Sequence, residues 1–102
     1  MKGWMYILIC SDGSYYVGST NNLELRLEQH QIGNGAKYTK KRLPIALVYS
    51  EEFEKIEDAY LREKQIQGWG RSKREALIKN QSSDLPIFSI AYRDRKKDTE
   101  NI

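Results

Sequence analysis

The stretch that most constrains this chain is Trp4 to Thr20, WMYILICSDGSYYVGST. Two runs of strand-forming residues, 4–10 and 15–19, flank the turn signal Asp12-Gly13 and predict a β-hairpin. Its register decides which side chains share a face, because successive residues of a strand point to opposite sides. A two-residue Asp12-Gly13 turn pairs Ser11 with Ser14 and puts Tyr6 and Tyr16 on opposite faces. A three-residue Ser11-Asp12-Gly13 loop, with Gly13 left-handed, pairs Cys10 with Ser14 instead. Leu8 then faces Tyr16, Tyr6 faces Gly18, and the two tyrosines share a face that excludes Tyr15. Gly18 would leave space beside the Tyr6 ring. Propensity does not choose between the registers, and as plain strand aromatics the tyrosines need no further role.

The rest of the chain alternates helix and strand signals. Thr20-Asn21-Asn22 caps a helix over Leu23 to Ile32, closed by Gly33 and Gly35. Lys37 to Arg42, KYTKKR, reads as a basic loop. Leu43 to Phe53 reads as a third strand that starts at Pro44, where proline is tolerated. Lys55 to Gln67 reads as a helix stopped by Gly68. Ser72-Lys73-Arg74-Glu75 has capping-box spacing and predicts a short last helix to about Lys79. Leu85 to Tyr92 reads as a short extra strand or docked segment, and RDRKKDTENI as a solvated tail. The order β-β-α-β-α-α indicates an α+β fold with an antiparallel sheet. Residues 1–80 form the expected domain, and 81–102 a C-terminal extension.

Composition narrows the function classes. Of 102 residues, 39% are apolar and 30% charged, which allows one modest core. The single cysteine, Cys10, excludes an internal disulfide, and no Cys/His cluster suits zinc. Its place in a strand makes it a small buried hydrophobe. No apolar run reaches transmembrane length and MKGWMYILIC is too short for a signal peptide, so a cytoplasmic protein without membrane attachment is expected. The net charge of +3 is compatible with a polyanion partner.

Helical spacing then directs polar groups toward the core. Leu23, Arg26, Leu27 and His30 follow i, i+3, i+4, i+7 and share one helix face. Arg26 and His30 either snorkel to solvent at its border or are held there for chemistry. In the later helix Ile56, Ala59, Tyr60 and Glu63 share a stripe continued by Ile66 and Gln67. A carboxylate there must be paired, hydrated or bound to a cation. A salt bridge to Arg26 or Lys64 is the plain alternative to a functional site.

Trp4-Met5-Tyr6 followed by Tyr16-Val17-Gly18 resembles the paired triplets of the GIY-YIG nuclease superfamily. The resemblance continues through Arg26, His30 and Glu63 and covers roughly residues 4–80. Trp4 stands where the family name has glycine, and Val17 replaces isoleucine. The region after Glu63, GWGRSKRE, lacks the asparagine that many members carry there. The wording YILICSDGSYYVGST and YTKKRLPIALVYSEEF is similar to the short, standalone bacterial branch. The resemblance implies a small three-stranded antiparallel sheet flanked by helices, and a divalent-metal-dependent endonuclease acting on DNA in repair or recombination. Glu63 would ligate one cation, Mg²⁺ or Mn²⁺. Arg26 would hold the scissile phosphate, Tyr16 would activate or orient water, and Tyr6 would position phosphate or water. His30 would be a relay or a second phosphate contact, and Gly18 would supply space. The alternative is a nucleic-acid-binding module without turnover.

Basic residues frame this expected site: Lys37, Lys40, Lys41 and Arg42 in the loop, and Arg71, Lys73 and Arg74 before the last helix. They are the expected phosphate contacts, which would be salt-sensitive and largely independent of sequence. Expected partners are DNA and a protein that supplies targeting, with the chain a monomer or weak dimer.

Overall fold

The computed structural model describes residues 1–80. The expected segment Leu85–Tyr92 and the tail lie outside the described residues. The elements are β1 (Gly3–Ile9), β2 (Tyr15–Thr20), α1 (Leu23–Gln31), α2 (Lys37–Lys40), β3 (Ala46–Phe53), α3 (Ile56–Gln67) and α4 (Arg71–Asn80). The strands form one antiparallel sheet in the order β2-β1-β3, so β1 is central and β2 is an edge. The fold class is α+β, as the order of sequence signals predicts.

The hairpin takes the three-residue loop. Cys10 N–H donates to the Ser14 carbonyl at 2.8 Å, and Gly13 N–H donates back to the Cys10 carbonyl at 2.9 Å. Gly13 has φ +84°, a conformation that costs glycine little and other residues more. Asp12 accepts from both the backbone N–H and the hydroxyl of Ser14, which tightens the loop. Tyr6 therefore pairs with Gly18 and Leu8 with Tyr16.

Alternation along the strands builds two cores. Met5, Ile7 and Val17 cluster with Val48, Tyr49, Ile66 and Ile78, under α3 and α4. Tyr6, Leu8 and Cys10 cluster on the other face with Leu23, Leu27, Ile45 and Leu47, under α1. Met5, Ile7 and Leu8 have no exposed surface, and burying each such side chain contributes roughly 1.5–3 kcal/mol. Cys10 is buried as expected, and burial pushes its thiol pKa up.

Four local readings change. KYTKKR is not all loop, since Lys37–Lys40 makes a single helical turn, α2. The third strand begins at Ala46, two residues beyond Pro44, which follows a cis peptide bond and has no N–H for a ladder. The last helix begins at Arg71 without the capping box. Arg74 N–H bonds to the Gly70 carbonyl, while the Glu75 carboxylate is taken by Arg71 at 3.0 Å and the Tyr15 hydroxyl at 3.3 Å. On α3, Tyr60 leaves the apolar stripe and is 51% exposed, whereas Ala59 and Ile66 are fully buried.

Candidate active site

The tyrosine face of the sheet carries a chain of buried polar groups. The Tyr6 hydroxyl lies 2.8 Å from His30 Nε2, and His30 Nδ1 lies 2.8 Å from Thr39 Oγ1. The Thr39 hydroxyl in turn donates to the Ala36 carbonyl at 3.2 Å. A hydroxyl has one proton to give. With that proton on Ala36, Nδ1–H donates to Thr39 and Nε2 accepts from Tyr6, a tautomer assigned from the network. His30 and Thr39 have no exposed surface. The imidazole therefore neither snorkels to solvent nor presents itself as a second phosphate contact. Burial, with Arg26 adding repulsion, pulls its pKa down to about 4. Burial likewise pushes Tyr6 up to about 12. Both groups are neutral near pH 7.

Tyr16 stands beside this chain, half-buried. Its ring centroid is 6.4 Å from Tyr6, 5.3 Å from His30 and 6.2 Å from Tyr38, on which it stacks. Burial raises its pKa, with Arg26 opposing. Arg26 reaches the same place from α1, whose start is fixed by Asn22 accepting from Leu25 N–H. Its guanidinium donates to Gln29 Oε1 and to the Gly35 carbonyl, each at 3.1 Å. Those two bonds fix the plane of a five-donor group and leave it capacity for an anion.

Glu63 approaches from the opposite face. Ser19, which alternates with Gly18, points toward α3, and its hydroxyl donates to Glu63 Oε1 at 2.6 Å. Gln67 Nε2 donates to Glu63 Oε2 at 2.7 Å. The Lys64 ammonium lies 3.9 Å from Oε2 and is half exposed, so neutral donors hold this carboxylate more closely than a salt bridge does. The two halves meet across the edge strand β2 at Gly18. A Cβ there would lie 2.6 Å from the Tyr6 hydroxyl oxygen and 3.1 Å from the Tyr16 ring. Gly18 thus does not leave a vacant space, because the end of the Tyr6 ring fills it. Arg26 and Glu63 both act on the titration of Tyr6 and Tyr16, so the four groups share one electrostatic neighbourhood.

The family model of the GIY-YIG catalytic domain matches residues 2–82. The chain belongs to the GIY-YIG family. Its relatives include the UPF0213 protein of Streptococcus pneumoniae serotype 4, 44% identical over 85 residues, which span 82% of this chain and 86% of that one. A UPF0213 protein of Staphylococcus aureus strain N315 is 46% identical over 76 residues, covering 74% and 93%. Among solved structures, the solution NMR structure of a UPF0213 protein from Bacillus halodurans aligns with a TM-score of 0.54 at 37% identity, covering 82% and 89%. That of protein EF2693 from E. faecalis aligns with a TM-score of 0.55 at 33% identity, covering 84% and 95%.

In this GIY-YIG chain the donor set near Glu63 fits a cation that needs little from the protein. Among the described residues no group of three or more His, Cys, Asp or Glu side chains could hold a metal ion. Mg²⁺ commonly takes one or two carboxylates and fills its remaining positions with water and substrate phosphate. Glu63 suits that role, since each oxygen accepts one neutral hydrogen bond and retains a lone pair.

The basic residues of the GIY-YIG chain divide by their partners. Lys37, Lys40 and Lys41 are exposed on and after α2, the turn whose Tyr38 stacks on Tyr16. Arg42 is engaged by Asp12 at 3.1 Å and the Tyr38 carbonyl at 2.9 Å. Arg71 pairs with Glu75, and Arg74 caps α3 through the Ile66 and Gln67 carbonyls. The Lys73 ammonium sits 4.7 Å over Trp69, which packs partly buried on the core under α4. Sequence reasoning gave no role to Thr39, Ser19 or Gln67. Only Gln67 carried a local signal, four residues after Glu63 on one helix face.

Proposed function

We propose that this chain is a divalent-cation-dependent endonuclease that hydrolyses phosphodiester bonds in DNA, serving repair or recombination, with residues 1–80 as the catalytic unit. The reading rests on Tyr6 and Tyr16 beside Gly18, on Glu63 bonded to the next residue, Ser19, and on the electrostatic influence of both Arg26 and Glu63 on the two tyrosines. Each residue has a task that its surroundings allow. Arg26 binds the non-bridging oxygens of the scissile phosphate with the donors left by Gln29 and Gly35. Glu63 holds a divalent cation, Mg²⁺ or Mn²⁺. When bound, such an ion stabilises the negative charge that develops on the phosphate and on the leaving oxygen.

Tyr6 and Tyr16 handle the water. The one hydroxyl proton of Tyr6 is committed to His30, so toward a water molecule its oxygen can act only as an acceptor. Tyr16 is a neutral phenol that orients the same water rather than a phenolate ready in advance. In the step itself a bond forms between the water oxygen and phosphorus, and the opposite bridging P–O bond breaks with its electron pair on the leaving oxygen. The water proton leaves to solvent, and the leaving oxygen takes up a proton from solvent. His30 fixes the Tyr6 hydroxyl and, with its pKa near 4, does not retain that proton. Lys37, Lys40 and Lys41 supply non-specific contacts to flanking phosphates.

The test is nicking of plasmid, flapped and branched DNA with Mg²⁺ or Mn²⁺, comparing the wild type with Glu63→Ala and Arg26→Ala. The reading requires cation-dependent cutting that both variants lose. Equal residual cutting by all three proteins identifies a contaminant and rejects it. Salt-dependent binding with no cutting on any substrate assigns the chain to nucleic-acid binding without turnover.

A further inference from the structure

The amide of Gln67 has every polar function assigned. Nε2 has two protons. One goes to Glu63 Oε2 at 2.7 Å and the other to the Val17 carbonyl at 3.2 Å. Oε1 faces the Lys64 ammonium at 3.5 Å. The orientation of the amide is therefore dictated by its surroundings, because a flipped amide would set its oxygen against both a carboxylate and a carbonyl.

We infer that Gln67 is a positioning residue that fixes the Glu63 carboxylate relative to the Tyr16-Val17-Gly18 strand. The inference deepens the endonuclease reading and rests on Glu63 as the cation ligand. Three consequences of the geometry carry it. First, Ser19 takes Oε1 and Gln67 takes Oε2, so rotation of the carboxylate about its last bond would break both contacts. Second, both donors are neutral, so neither brings a positive charge that would compete with a cation for the carboxylate. An arginine in the same place would neutralise it. Third, the second Gln67 bond ends on Val17, the residue between Tyr16 and Gly18. One side chain thus ties the ligand on α3 to the backbone that presents the Tyr16 phenol. Outer hydrogen-bond partners of this kind orient metal ligands, and their loss commonly weakens metal affinity 10–100-fold.

The experiment compares the wild type with Gln67→Met, which keeps the length and bulk of the side chain without its donors, and with Glu63→Gln alone and combined with Gln67→Met. Mn²⁺ affinity is measured by electron paramagnetic resonance without DNA, and Glu63 side-chain order by carbon-13 relaxation. Gln67→Met is expected to weaken Mn²⁺ binding at least tenfold and to loosen Glu63, with KM for DNA unchanged while kcat falls. In the Glu63→Gln background the same change should have no further effect on Mn²⁺, the non-additivity expected of residues acting as a unit. Unchanged Mn²⁺ affinity and Glu63 order in Gln67→Met, with or without a loss of stability, overturns the inference. A wild type that binds no Mn²⁺ and cuts no DNA sinks the endonuclease reading instead. The relaxation data then decide whether Gln67 positions Glu63.

Discussion

The Tyr6 hydroxyl and His30 Nε2, 24 residues apart in the chain, meet at 2.8 Å inside a core with no exposed surface on the imidazole. Each satisfies the other, so neither can be changed alone without leaving a buried polar group unpaired. Tyr6→Phe should cost about 1–3 kcal/mol of stability, read from urea unfolding, and should also abolish nicking. Tyr16→Phe, altered at a half-buried ring outside the His30 chain, should abolish nicking while its unfolding midpoint stays close to that of the wild type.

His30 also sets a pH dependence. Its folded pKa is pulled down to about 4, against about 6.5 for an unperturbed histidine. The unfolded chain therefore takes up the proton first as pH falls. The stabilising effect of the neutral ring is complete above about pH 6.5 and is lost between there and pH 4. Unfolding free energy should decline on the order of 2 kcal/mol across that window. In His30→Gln this part of the slope should vanish. An inflection in the activity profile between pH 6 and 8 that disappears in His30→Gln would contradict the neutral assignment.

At Gly18 the constraint is steric. A methyl group would sit 2.6 Å from the Tyr6 hydroxyl oxygen. Gly18→Ala should displace the Tyr6 ring and lower stability by roughly 1–3 kcal/mol. The paired observation is a loss of the Tyr6 to His30 contact, visible as a shift in the His30 ring resonances.

Arg26 is predicted to be irreplaceable by lysine. Its planar fork is held by Gln29 and Gly35, and an ammonium cannot occupy both contacts and still grip a phosphate. Arg26→Lys should lower kcat on the order of 10²–10³-fold. Removing the divalent cation by chelation should stop wild-type turnover, and re-adding Mg²⁺ should restore it but not in Glu63→Gln.

The exposed lysines on and after α2 should act through salt alone. Changing Lys37, Lys40 and Lys41 together to alanine should weaken DNA binding evenly across sequences. It should also reduce the slope of log affinity against log salt by about 2–3. An unchanged slope would remove these residues from the interface.

Much of this site could be read in the residues and part of it could not. The pairing of Tyr6 with Gly18 was one of two registers left open by the sequence, whereas the Asn22 cap and the Arg26/His30 face followed from local spacing. The three-residue loop shows in the Cys10–Ser14 bond and in Asp12, which lacks the positive φ that a two-residue type I′ turn requires of it. Thr39 and Tyr38 were hidden because a four-residue helix has no periodicity to recognise and KYTKKR is dominated by charge. The capping box misled because Glu75 has partners with greater hold, one of them Tyr15, 60 residues away. Nor does helical spacing tell which face of the sheet a helix covers. Only the packed cores place α1 and α3 on opposite sides, with Glu63 coming around the edge to the tyrosines. The chain has no asparagine after Glu63 in GWGRSKRE, and the amide on the carboxylate comes from Gln67, one helical turn on.

The bond from Gln67 to the Val17 carbonyl has a consequence for how copies of this protein behave toward one another. Cys10 N–H donates to the Ser14 carbonyl, which makes every second pair from there a bonded one, so the alternating antiparallel ladder directs the Val17 peptide groups away from β1. That carbonyl belongs to the open side of an edge strand, where an incoming strand from another molecule would dock. The Gln67 amide already occupies it. The sheet is thus denied one of the contacts by which edges recruit each other into aggregates, at the point where the strand passes the candidate site.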